Sequence, residues 1–505
     1  MATKALFNTV VNWFIRQRID QIEHFIKFPV ETQEGLLFSQ LFHAEETEYG
    51  QKYGFSTISN YQDFQRKVPV VCYEDFEPYI EKARQGQKDV IWPGQIKQFA
   101  KSSGTTNAKS KYIPITAESL EDCHYKAGKD MVSIYLNNHP QSELFQHKNL
   151  RLGGSAETYQ DFNTKFGDLS AILIENLPFW VEIINTPNKK ISLMSEWESK
   201  MKAIITEVRN EDVGSLTGVP SWMMVLLQRT LQETGKQNIG ELWPNLEVFF
   251  HGGISFKPYK NQYKEIIGKN IRYYEIYNAS EGFFGIQDQS GSDEMLLMLD
   301  YGIFYEFIPM DQYYSGRREA IPISEVELGK NYAVVISTNG GLWRYLIGDT
   351  VRFTSLHPYR IKISGRTKHY INAFGEELMI DNVETALKIT CENLDVSISD
   401  YTGAPVFMTN SSKGCHEWVF EFTRQPACLN TFSDMFDRTL KTLNSDYEAK
   451  RYNDITLRKP IIHVARPNLF YEWMASRGKL GGQNKVPRLS NDRAYIEPLL
   501  KLNEL

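Results

Sequence analysis

Few cysteines, no surplus of positive charge and no long apolar run bound what this chain can be. Its 505 residues include five cysteines, Cys72, Cys123, Cys391, Cys415 and Cys428. They are odd in number, widely spaced and form no C-x-x-C, which argues against a disulfide framework and a structural zinc site. A reducing cytoplasm is the expected compartment. The 56 Lys and Arg against 62 Asp and Glu leave a net charge of -6. No overall positive field would draw such a chain to nucleic acid or an anionic membrane, and neither is an expected partner. No apolar run reaches about 18 residues, so no membrane-spanning helix is expected. Asn12, Arg16 and Arg18 interrupt the apolar N-terminal stretch, which removes a secretory signal. The pattern G-x-x-x-x-G-K-[ST] is also missing, and P-loop nucleotide chemistry loses its main support.

What is present suits a large globular protein. Apolar residues make up 42%, aromatics 13% and charged residues 23%, and this length predicts two or three domains. Over residues 5–28, Leu6, Val10, Trp13, Phe14, Ile22, Phe25 and Ile26 recur at three- and four-residue steps before Pro29. That spacing predicts an amphipathic helix. Asp20 and Glu23 sit beside Arg16 and Arg18 on its polar face, which favours packing on the body over a membrane surface. Between about 165 and 355, strand-like runs at 171–174, 246–250, 273–277 and 332–336 alternate with helical patterns such as 221–233. This predicts an α/β domain, with ligands at the carboxyl ends of strands. Beyond Gly365-Arg366-Thr367-Lys368 the texture changes, with strand-like 418–423 and 461–465 and helix-like 382–391 and 429–443. A domain boundary is therefore expected near Gly365.

Four segments carry possible chemistry. The first, from Lys101 to Lys111, gathers hydroxyls, Gly104 and three lysines ahead of a strand-like 112–115. Backbone N–H groups, hydroxyls and an ammonium together suit phosphate oxygens, although a solvated polar turn has the same composition. The second, Tyr277-Asn278-Ala279-Ser280-Glu281-Gly282, ends a predicted strand, where Tyr277 could stack a nucleobase and Glu281 hold a hard cation. A loop acid after a core tyrosine is the plainer alternative. The third, His251-Gly252-Gly253-Ile254, also follows a strand, and its two glycines permit a flat ring to approach the backbone; a tight turn explains it equally well. In the fourth, Leu346-Ile347-Gly348-Asp349, the carboxylate could accept from two ribose hydroxyls or cap a Gly-Asp turn.

In this order and spacing the segments resemble the plant auxin-responsive (Gretchen Hagen) acyl acid amido synthetases, within the acyl-adenylating, firefly-luciferase-like superfamily. The resemblance covers nearly the whole chain. Val68-Pro69-Val70, Tyr73-Glu74-Asp75-Phe76 and Pro78-Tyr79-Ile80 are similar to the segment leading to the family's phosphate loop, and Ser102-Ser103-Gly104-Thr105-Thr106 to that loop. Tyr277 through Glu281 resemble the second motif, and Arg344 through Asp349 the third. Gln483-Asn484-Lys485-Val486-Pro487-Arg488 is similar to the segment with the mobile lysine, and Gly365-Arg366-Thr367-Lys368 to the interdomain hinge. Three departures stand out. Asn107-Ala108 replaces a loop glycine, which makes Lys111 rather than Lys109 the expected phosphate-facing lysine. Leu346 stands where plant members often place arginine, and residues 372–379 differ from the plant form, which turns expectation away from plant hormones.

The resemblance implies an α/β fold: a large N-terminal nucleotide- and acyl-binding domain of the acyl-adenylating type over 1–365, and a smaller mobile α+β C-terminal domain over 366–505. It implies a ligase that uses ATP and Mg²⁺ to convert a carboxylic acid to an acyl-adenylate and then transfers the acyl group to an amino acid. Lys485 is the implied catalytic residue. Ser102, Ser103, Gly104, Thr105, Thr106 and Lys111 are assigned to phosphate, Gly252, Gly253 and Tyr277 to adenine, and Asp349 with Arg366 to ribose. Ala279 and Ser280 complete the nucleotide motif, Glu281 takes the metal, and Arg366, Thr367 and Lys368 form the hinge. Trp222 and Met223, within residues 219–224, are the expected acyl-pocket wall, with a plain core helix as the alternative. Two rival functions share these motifs: a ligase making a thioester with coenzyme A or a carrier, and a nucleotide-binding pseudoenzyme.

Overall fold

The computed structural model describes residues 2–102, 111–153, 159–161, 164–177, 179–256, 259–367, 370–409, 412–454, 456–477 and 487–504. A 12-stranded mixed sheet organises the larger part of the chain. At one end Asn185–Thr186, Lys148–Arg151, Val213–Gly218, Val248–Gly252 and Arg272–Ala279 run parallel to their neighbours. From Arg272–Ala279 the sheet continues antiparallel through Gly282–Ile286, Met295–Leu297 and Tyr359–Arg366 to Tyr345–Leu356 and beyond. Val248–Gly252 is buried along its whole length, as a parallel strand with both faces covered must be. The helix Pro220–Thr234 is the crossover that precedes it; Pro220 at its start and Gly235 at φ +68° just past its end mark the helix limits.

The N-terminal expectation holds. Helix Ala2–Lys27 buries Ile22 and Phe25, and Arg18 fastens it to the body through Asp130 (2.7 Å) and Asp300 (2.6 Å). The expected strand at 171–174 is instead part of the helix Leu169–Glu175. A short apolar run satisfies a buried helix as well as a buried strand. The decisive element is Asp168, whose side chain accepts from Ser170 N at 2.7 Å and caps the first turn.

Beyond the large sheet, Ser397–Val406, Cys415–Arg424 and Ile461–Val464 form a three-stranded sheet covered by Ile380–Leu394 and Leu429–Leu443. Trp418, Phe420, Phe432 and Phe436 centre its core. That core is continuous with one reaching back to Met223 and Tyr263 of the larger part, so the chain packs across the position of the expected boundary. The strand Tyr359–Arg366 itself runs unbroken through Gly365. Among the described residues, no helix is long and apolar enough to cross a membrane.

Candidate active site

The site is assembled from three strands of the large sheet, Arg272–Ala279, Tyr345–Leu356 and Tyr359–Arg366. Arg272–Ala279 and Gly282–Ile286 are joined by a two-residue turn, Ser280-Glu281, with Ala279 opposite Gly282. So short a turn fixes where Glu281 stands. Two residues before the strand ends, Tyr277 directs its hydroxyl across to Asp349 Oδ2 at 2.8 Å. Asp349 does not lie in the alternative Gly-Asp turn; it is within the strand Tyr345–Leu356, after Gly348 at φ +91°. Its ladder partner is Arg366, whose Nε donates to Asp349 Oδ1 at 2.8 Å. Arg366 Nη2 also approaches Glu377 at 3.6 Å, and its guanidinium lies 5.3 Å from the Tyr370 ring centre.

These groups form one electrostatic unit. Withdrawal from water pushes the Glu281 carboxyl up, Lys111 pulls it back down, and Asp349 pushes it up further. Burial would lower the Arg366 pKa, but the Glu377 and Asp349 carboxylates raise it overall. Burial and Asp349 both hold the Tyr277 phenol far above its ordinary range, so it stays a neutral donor. Tyr277 is 5% exposed and its ring packs on Phe284 at 4.8 Å, so in this conformation it presents its hydroxyl to the site rather than an open face. Lys111 begins the strand Lys111–Ile115 opposite Ser102, with its ammonium 5.5 Å from the Tyr73 ring centre. Ser103, Gly104, Thr105, Thr106, Lys109, Lys368 and Lys485 lie outside the described residues. Thr367 does not: its N–H donates to Gly348 O at 2.8 Å, tying it to the Asp349 strand.

Gly252 and Gly253 are explained by backbone geometry. A Cβ on Gly252 would stand 2.4 Å from Ile276 O, and Gly253 has φ +82°. Both line a cavity of about 2060 Å³, together with Ile276 and Asn278 from the neighbouring strand, Trp222, and Gly375, Glu377 and Lys450 from later in the chain. Trp222 thus lines this cavity. Met223 does not: it is fully buried in the core beneath, because adjacent helix residues point to different faces.

Glu377 and Lys450 have no motif to announce them and emerge only from the fold. Arg344, at the head of the third motif, is structural: it pairs with the buried Glu306 at 2.7 Å and donates to Val68 O. Among the described residues no group of three or more His, Cys, Asp or Glu could hold a metal ion. Mg²⁺ needs no such cage, since one or two carboxylates with substrate phosphates and water suffice, and Glu281 fits that role.

This fold is that of the acyl-adenylating ligases. It is similar to a solved acyl acid amido synthetase, AtGH3.15 in complex with 2,4-DB, with a TM-score of 0.62 at 19% identity over 97% of this chain and 96% of that one. It is also similar to 2-hydroxyisobutyryl-CoA ligase in its thioesterification state, with a TM-score of 0.58 at 15% identity over 94% and 92%. Residues 18–271 match the GH3 family N-terminal domain, 296–366 its central domain and 381–494 its C-terminal domain. The chain belongs to the GH3 family. Among its relatives, the probable indole-3-acetic acid-amido synthetase GH3.1 of Arabidopsis thaliana is 23% identical over 95% of this chain and 92% of that protein. The jasmonoyl–L-amino acid synthetase JAR6 of Nicotiana attenuata is 25% identical over 67% and 69%.

Proposed function

We propose that this chain is an ATP-dependent, AMP-forming ligase that joins a carboxylic acid to an amino acid through an acyl-adenylate. The observation that carries this reading is the Asp349 junction with Tyr277 and Arg366, standing beside Glu281 and Lys111, in a chain that matches the family along most of its length.

In this reading Asp349 is the ribose acceptor, with Arg366 and Tyr277 holding its carboxylate in place. Gly252 and Gly253 let the backbone lie flat beside adenine, and Ala279 with Ser280 sets the turn that aims Glu281. Lys111 and the Ser102–Thr106 segment face the phosphates. A bound Mg²⁺, held by Glu281, would neutralise phosphate charge. Activation brings two anions together, so the protein's contribution is positioning and charge neutralisation, to which Lys485 adds its ammonium. The domain over 366–505 would carry Lys485 toward the phosphates and, turning about Arg366–Lys368, withdraw it to admit the amine. The five cysteines, among which no disulfide forms, suit the cytoplasm.

The test is a screen of carboxylic acids with Mg-ATP for pyrophosphate release, repeated with single amino acids and with coenzyme A. A product of mass equal to acid plus amino acid minus water is expected. If only coenzyme A consumes the adenylate, the amide reading is wrong. If no acid stimulates pyrophosphate release while ATP still binds, the pseudoenzyme replaces it.

A further inference from the structure

We propose that Lys450, set against the Trp222 ring, is the seat for a substrate carboxylate within the cavity. Lys450 lies on the helix Ser445–Arg451, is only 8% exposed, and lines that cavity. Its ammonium sits 3.8 Å from the centre of the Trp222 ring. Among the described residues its side chain has no hydrogen bond or ion pair. A buried cation without an anionic partner is costly, so an anionic ligand that paired with it would offset part of that cost. Burial pushes its pKa down to about 8, against the opposing pull of Asp446, Glu376, Asp168 and Glu377.

Two of those acids have other commitments. Glu376 accepts from His416 Nε2 at 2.8 Å and from Phe374 N at 2.7 Å, and Asp168 caps Ser170 N. The loop that carries Glu376 is also the link to the nucleotide side of the site. A Cβ on Gly375 would stand 3.3 Å from Lys450 Cε, and Glu377, two residues on, reaches Arg366. The ammonium therefore faces the cavity one loop away from Asp349. An ammonium with three donors, held over an aromatic face at the cavity wall, can seat a carboxylate. In the proposed reaction that carboxylate is the α-carboxylate of the acceptor amino acid or a second carboxylate on the acyl substrate, and the inference rests on that reading.

The experiment compares amino acids with their α-carboxamides as acceptors, and dicarboxylic acids with their monoesters in pyrophosphate release, for the parent protein, Lys450→Gln and Lys450→Arg. Binding of the same pairs is read by calorimetry in parallel. The parent should prefer amino acid over carboxamide by at least 10-fold in kcat/KM. Lys450→Gln should lose that preference and Lys450→Arg keep most of it. If the lost preference is instead between diacid and monoester, the carboxylate belongs to the acyl substrate. If Lys450→Gln, folded by its melting curve, keeps both preferences, or the parent has neither in binding or turnover, the proposal is overturned. An inactive parent whose calorimetric preference still depends on Lys450 would sink the functional reading alone.

Discussion

Asp349 and Arg366 meet twice, once as partners in the backbone ladder and again through a 2.8 Å hydrogen bond between guanidinium Nε and carboxylate Oδ1. Tyr277 takes the other oxygen at 2.8 Å. A carboxylate has about four lone-pair positions, so one donor on each oxygen fixes its plane and leaves an acceptor position on each. Two adjacent hydroxyls can fill that remaining pair.

Asp349→Ala removes this acceptor and leaves Arg366 with Glu377, at 3.6 Å, as its ion-pair partner. ATP binding should weaken by about 1–3 kcal/mol in calorimetry. Unchanged affinity would return Asp349 to a purely structural role.

Lys485→Ala should lower acid-dependent pyrophosphate formation by roughly 10²-fold or more, the scale of losing one key electrostatic donor. Amide formation from supplied acyl-adenylate should persist. A variant that adenylates at the parent rate would remove Lys485 from the chemistry.

Trp222 and Met223 should separate by phenotype. Met223 is fully buried, and Met223→Ala should cost about 2–5 kcal/mol in chemical unfolding. Trp222→Ala should show its larger effect as a raised KM for a substrate. If the melting temperature falls equally in both, Trp222 belongs to the core as well.

His251, 2% exposed and stacked on Phe256 at 4.1 Å, should make the fold acid-sensitive. Burial lowers its pKa to about 3 from 6.5. The unfolded chain then takes up the proton first, so stability is fully present above about pH 6.5 and is lost as pH falls toward the folded value. Between pH 7 and 5 the loss attributable to His251 should approach about 2 kcal/mol. His251→Leu should flatten the pH dependence of unfolding by that amount; an unchanged slope would mean that the ring protonates in place.

How much could be read from the chain alone depended on whether the relevant signal was local. Helix 429–443 and strand 273–277 are marked by periodicity, and Leu429–Leu443 and Arg272–Ala279 are where they fall. Leu169–Glu175 misleads because four apolar residues carry no period; a single capping aspartate settles the matter. At the site, Tyr277, Glu281 and Asp349 sit in recognisable segments, but the hydrogen bond from Tyr277 to Asp349 spans 72 residues. Lys450 is harder still. No motif surrounds it, and Trp222, which lies against its ammonium, is more than 200 residues away in the chain.

The close approach at Gly252 has a practical consequence for anyone reshaping this pocket. Position 252 is closed to every side chain, since a Cβ there would fall 2.4 Å from a backbone oxygen that cannot step aside, and 253 resists replacement through its backbone angle. Val219 and Trp222 also line the cavity, and neither position has that backbone constraint. A library aimed at new substrates should therefore spend its diversity at 219 and 222 and hold the glycine pair constant.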